Sequence, residues 1–173
     1  MIDLVRSLAL AVIGLPAASQ AATAAGSAPL TPAAQFELIR SWEGRWQVAE
    51  TSALTIVFES TARGSVVVER WETASGLHSM TVYHRDGDAL VATHYCPQGN
   101  QPRLEARGDS TDEVRFAFRD VSDLDPGESH THALWFAPAP DGTLRRSEVY
   151  RGKEGLQAPS SYTLSRVPVP TGE

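Results

Sequence analysis

The stretch Ser65–Cys96, SVVVERWETASGLHSMTVYHRDGDALVATHYC, decides the fold. It holds three runs rich in β-branched and aromatic residues, separated by the turn signals Ser75-Gly76 and Asp86-Gly87. Connections this short leave no room for a crossover helix, so consecutive strands must run antiparallel. The same rhythm extends in both directions. Leu54, Ile56 and Phe58 alternate with Thr55, Val57 and Glu59, and Val114, Phe116 and Phe118 alternate with Arg115, Ala117 and Arg119. That is the period of a half-buried strand. Further strands are readable at 45–50, 102–107, 130–137, 143–151 and 161–167, with Asp141-Gly142 as another turn. Ahead of them, Thr31 can cap and Pro32 can start a helix over 32–41 that presents Phe36 and Ile39. The expected architecture is all-β: an antiparallel up-and-down meander of about ten strands, closed into a barrel, with the short N-terminal helix closing one end. Closure also removes exposed strand edges.

Composition agrees with one folded domain. The 173 residues are 42% hydrophobic and 21% charged, with 15 Lys+Arg against 21 Asp+Glu and a net charge of −6. Neither disorder nor a fibrous repeat fits that balance. A nucleic-acid partner is disfavoured, because its footprint should be basic. A single cysteine excludes an intramolecular disulfide framework and a cysteine-based zinc cluster. The sequence also lacks Gly-x-Ser-x-Gly, His-Glu-x-x-His, a phosphate-binding glycine loop and a dinucleotide fingerprint.

Residues 1–25 read as a secretory signal. Arg6 supplies the positive start, Leu8 to Leu15 the apolar run, and Pro16 with a series of alanines the small-residue end. The run is shorter than the roughly 20 residues of a membrane-spanning helix, so no span is expected after its removal. Residues 26–31 would be a linker, 32–168 the barrel and 169–173 a disordered tail. The mature protein is expected in the periplasm or outside a bacterial cell.

Turn geometry suggests which side chains face inward. A two-residue turn at Ser75-Gly76 would pair Trp71 with Met80 and Glu69 with Val82. A turn over Arg85-Asp86-Gly87 with a glycine bulge would then pair Val82 with Leu90, Met80 with Ala92 and His78 with His94. The interior set is then Val67, Glu69, Trp71, Met80, Val82, Leu90, Ala92, His94 and Cys96. The outer set includes Ser79, Thr81, Tyr83, Thr93 and Tyr95.

Strand direction gathers His78, His94, His130 and His132 at one end of such a barrel. A His-x-His pair facing a third imidazole can ligate zinc or copper, so His94, His130 and His132 are candidate metal ligands as well as candidate rim residues. An open position on such a metal would acidify water. Glu69, among apolar neighbours, needs a partner, and an inward Arg146 on the 143–151 strand could supply it. Cys96 lies two residues from His94, and Asn100 sits in the adjoining 97–102 loop, where it could contact a ligand or simply hold the turn. Asp123, Asp125 and Glu128 read as a solvated acidic loop.

Several of these residues also carry a resemblance. Gly44-Arg45-Trp46, directly after the helix, resembles the Gly-x-Trp element of lipocalin-like (calycin) barrels. Met80-Thr-Val-Tyr-His, Asp86-Gly-Asp, Thr93-His-Tyr-Cys and Gly99-Asn-Gln-Pro-Arg together resemble a family of bacterial extracytoplasmic barrel proteins, over about residues 35–167. The resemblance implies a barrel with a pocket and attaches no activity to it. Nitrobindin-type haem barrels extend Gly-x-Trp into a glycine-rich run that is missing here, which disfavours haem.

The expected function is therefore binding of a small hydrophobic or amphipathic molecule in an apolar cavity with a histidine-lined mouth. Its expected lining is Glu69, Trp71, Met80, Val82, His94, Cys96, Asn100, His130, His132 and Arg146. The alternative is a metal-dependent or acid–base enzyme centred on His94, His130 and His132.

Overall fold

The structure is a computed structural model and describes residues 28–168. The expected signal segment, the first residues of the linker and the tail lie outside the described residues. One helix, α1 (Pro32–Arg40), precedes the strands β1 (Gly44–Val48), β2 (Thr55–Thr61), β3 (Val66–Thr73), β4 (Gly76–Asp86) and β5 (Ala89–Tyr95). Then follow β6 (Gln101–Arg107), β7 (Val114–Ser122), β8 (His130–Pro138), β9 (Leu144–Gly152), β10 (Gly155–Leu156) and β11 (Ser160–Arg166). From β1 to β9 each strand pairs antiparallel with the next, and β11 lies between β9 and β1. This closes a ten-strand antiparallel barrel, to which β10 adds a two-residue extension along β9.

Thr31 caps α1 by accepting a hydrogen bond from the Ala34 amide at 3.2 Å, and Pro32 occupies the first turn, where no amide donor is needed. Phe36 and Ile39 from α1 enter the same apolar core as Trp42, Trp46, Phe58 and Phe136. The helix and the residue before its cap touch the segments around Gly64 and Gly108. There Gln35 Nε2 donates to the Arg107 carbonyl at 2.7 Å, and the Leu30 amide to the Ser110 carbonyl at 2.8 Å. In the core, Trp42 packs on Phe136 at 4.8 Å between ring centroids, and Tyr83 on Phe116 at 5.6 Å. Each such buried ring contributes roughly 1.5–3 kcal/mol relative to exposure.

Gly44 has a structural reason to be glycine. Its φ is 129°, and a Cβ there would sit 2.9 Å from Nη1 of Arg166. That guanidinium lies 4.6 Å over the Trp46 ring and donates to the carbonyls of Ser41 and Glu43. Trp46 Nε1 in turn donates to the Trp42 carbonyl at 2.8 Å. The last strand, the first strand and the segment before it are thus fastened at one point.

On β4 the structure reverses the expected face. Ser79, Thr81 and Tyr83 are buried, whereas Met80 and Val82 are only partly buried and alternate with them on the outer side. The β3–β4 turn is Ala74-Ser75, with Thr73 opposite Gly76. Trp71 stands opposite Ser79 but Glu72 opposite Leu77, so His78 is an extra residue, a bulge in β4. The next turn also differs. It is the two-residue Gly87-Asp88, with Asp86 opposite Ala89 and Gly87 at φ 60° in the first central position, as a type II′ turn requires. The two displacements cancel on β5. Leu90, Ala92 and His94 face inward as expected, with His94 opposite Thr81 in place of His78.

Candidate functional site

Glu69 and Arg146 meet across the barrel interior, from strands that are not neighbours in the sheet. On β3 the inward positions are Val67, Glu69 and Trp71; on β9 they include Leu144, Arg146 and Glu148. Arg146 Nε donates to Glu69 Oε1 at 2.6 Å, and both side chains are at most 1% exposed. Trp71 Nε1 donates to the same oxygen at 2.6 Å, and the Tyr83 hydroxyl donates to Oε2. One buried carboxylate therefore receives three donors, which offsets its desolvation. Arg146 Nη1 reaches Glu148 Oε2 at 2.7 Å, and the guanidinium lies 4.5 Å from the Trp71 ring centroid.

Electrostatics hold the protonation states of this group. Burial alone would lower the proton affinity of Arg146, but the Glu148 and Glu69 carboxylates outweigh it, so the guanidinium stays charged. Burial, reinforced by the Glu69 charge, pushes the Tyr83 phenol well above its ordinary value, which leaves it a donor. His94 moves the other way. Burial first, and then the Arg146 charge, lower its pKa to about 4, so it is a neutral imidazole at physiological pH. Its Nδ1 lies 3.0 Å from Thr81 Oγ1, while the buried Nε2 has no protein partner.

A pocket of about 230 Å³ opens beside this network. Trp71, Tyr150 and Tyr162 give it aromatic walls, and Leu54 and Pro97 add apolar surface. His78, Ser79, His94, Arg146 and Glu148 complete the lining. The lining is thus mixed, in contrast to the apolar cavity expected from the sequence. The apolar rings of the core, Trp42, Phe58, Phe116 and Phe136, pack with one another and do not line it. Tyr162 stands edge-on to Trp71 at 5.0 Å.

The residues expected at the site divide into groups. Glu69, Trp71, His94 and Arg146 come together. Met80 and Val82 do not, because the His78 bulge turns them outward. Cys96 is partly buried and receives a 3.8 Å contact from Gln98 Nε2. Asn100 is fully buried, but its amide donates to Glu128 Oε2 at 3.0 Å and to the Ser129 carbonyl at 3.1 Å. It fastens the loop before β6 to the loop before β8. His130 and His132 gather around Phe118, at 4.9 and 5.2 Å between ring centroids, with 6.1 Å between the two imidazoles. Burial lowers the pKa of both, with help from His132 and Arg151 at His130 and from Arg151 at His132.

The three candidate metal ligands therefore stand in two places: His94 on the pocket wall, His130 and His132 against Phe118. Part of the cause is local. Thr131 pairs with Tyr150 but Ala133 with Val149, so His132 is an extra residue in β8. Among the described residues, no three His, Cys, Asp or Glu side chains are grouped to hold a metal ion. Nor is any described helix long and apolar enough to cross a membrane.

The lining expected from the sequence leaves out Tyr83, Thr81, Glu148, Tyr150 and Tyr162. Two of these were accessible to the argument that found Arg146, since Glu148 and Tyr150 follow it at intervals of two on one strand. Tyr83 and Thr81 were hidden by the bulge.

No protein-family model matches the chain, and no curated protein matches it.

Proposed function

We propose that the chain is an extracytoplasmic, lipocalin-like barrel that binds a small amphipathic molecule in the pocket beside Glu69 and Arg146. The observation that carries this reading is His94, which lines a 230 Å³ pocket and whose buried Nε2 has no protein partner. Buried polar atoms are nearly always hydrogen-bonded, so a molecule in the pocket is the natural partner. Aromatic walls with a few fixed polar groups are the usual composition of a small-molecule site. The volume, room for roughly eight water volumes, suits a small ligand. The Glu69 network supplies rigidity: Trp71, Tyr83 and Arg146 all donate to this one carboxylate, so the pocket floor is preorganised. The lipocalin-like assignment rests on Gly44-Arg45-Trp46 and the closed antiparallel barrel, and the extracytoplasmic location on the character of residues 1–25.

Native mass spectrometry of the purified chain, followed by identification of small molecules released on denaturation, tests the reading. A stoichiometric compound that is lost in His94→Phe supports it. A wild-type protein that releases no compound, and whose melting temperature responds to no member of a metabolite library, would overturn it.

A further inference from the structure

Resting on that binding reading, we infer that the ligand is a small organic cation: a protonated amine on an apolar or aromatic body, held by Glu148 and His94 between the tyrosine walls. The argument starts from charge. Two carboxylates, Glu69 and Glu148, stand against one guanidinium, Arg146, at the pocket and beneath it. His94 is neutral, and His78 is exposed at the rim. The pocket therefore carries an excess of one negative charge in a poorly solvated place, where a ligand cation would compensate it.

An anionic ligand fares worse. Its obvious partner would be Arg146, but that side chain already gives Nε to Glu69 and Nη1 to Glu148 and lies over Trp71. An anion could reach only the remaining Nη2, and there it would add a third negative charge beside Glu69 and Glu148. Glu148 is better placed to take a new partner. Arg146 engages only its Oε2, and the residue keeps 7% of its surface exposed on the pocket wall.

The walls suit a cation too. Tyr150 and Tyr162 line the pocket, and the negative faces of aromatic rings attract ammonium groups. Both phenols are raised, by burial first and then by the Glu148 charge against an opposing Arg146, so the rings stay neutral. The tautomer that suits this ligand has His94 Nδ1–H donating to Thr81 Oγ1, 3.0 Å away, and the lone pair of Nε2 turned to a second N–H of the same ammonium.

Calorimetric titration of the full chain at pH 8 with three matched probes tests the inference: phenethylamine, phenethyl alcohol and hydrocinnamate. The amine should bind at least about tenfold more tightly than either other probe, and Glu148→Gln should erase that margin while leaving the alcohol unchanged. Should Glu148→Gln fail to fold, the ranking of the three probes on the wild-type chain still decides. Equal or tighter binding of the alcohol or the carboxylate would overturn the cation assignment and leave the binding reading intact. Absence of binding by all three would also overturn it, and the compound released from the native protein would then judge the binding reading separately.

Discussion

Arg146 Nε lies 2.6 Å from Glu69 Oε1, and this ion pair joins β9 to β3 through the middle of the barrel. A buried charge without its partner is strongly destabilising, so each residue depends on the other. Arg146 is shared with Glu148, and Glu69 with Trp71 and Tyr83, so removal of one partner has unequal consequences on the two sides.

Arg146→Met should be the more damaging change. It leaves Glu69 and Glu148 as two buried carboxylates without a counter-charge, at a cost of about 3–5 kcal/mol. Glu69→Gln keeps one acceptor oxygen for Trp71, turns its amide N–H towards the Tyr83 hydroxyl and leaves Arg146 paired with Glu148, so it should cost clearly less. Urea unfolding of both variants measures the order, and equal losses would contradict the shared arrangement.

Tyr83→Phe removes the donor to Glu69 Oε2 while keeping the ring against Phe116 and Phe136. The expected loss is about 1–3 kcal/mol, the range for a buried acceptor left without its partner. Val82→Thr, on the outer face of the same strand, should cost less. The reverse ranking would mean that β4 has the opposite face inward.

Stability should fall as the solution is acidified. The folded pKa of His94 is lowered from 6.5 to about 4, so the unfolded chain takes up this proton first as pH drops. Its contribution is fully present above pH 6.5 and is lost between 6.5 and about 4. The amount is on the order of 3 kcal/mol, and His130 and His132 act in the same direction. Thermal unfolding from pH 7 to pH 4 checks it: His94→Gln should have a shallower slope than the wild type across that window. An unchanged slope would show that His94 is not buried in its neutral form.

Gly44→Ala combines an unfavourable φ of 129° with crowding of the Arg166 guanidinium. The expected cost is about 1–3 kcal/mol, seen as a lower melting temperature. Arg166→Ala should lose the stacking on Trp46 and the bonds to the Ser41 and Glu43 carbonyls, and its effect should not add fully to that of Gly44→Ala. Strict additivity in the double variant would refute the coupling of these two positions.

Strand order, the closed meander and the inward faces of β3 and β5 followed from the sequence alone. Period-two alternation and turn residues are local signals, and a meander needs little more than local signals to be recognised. Val67, Glu69 and Trp71 share a face whatever lies beside them, and the lone acid among them pointed to a distant cation, which proved to be Arg146.

Only the tertiary structure decided the face of β4, the separation of His94 from His130 and His132, and the polar character of the pocket. The reason is that a bulge is a property of a strand pair. His78 and His132 are extra residues only relative to Trp71 and Tyr150 on the neighbouring strands, and nothing in their own side chains announces it. One inserted residue inverts every side chain beyond it, which hid Tyr83 and Thr81 and brought Met80 and Val82 outward. The charge excess at the pocket likewise depends on which residues meet across the lumen. Glu69, Arg146 and Glu148 become one site because the closed barrel places β3 and β9 on opposite walls of the same small space.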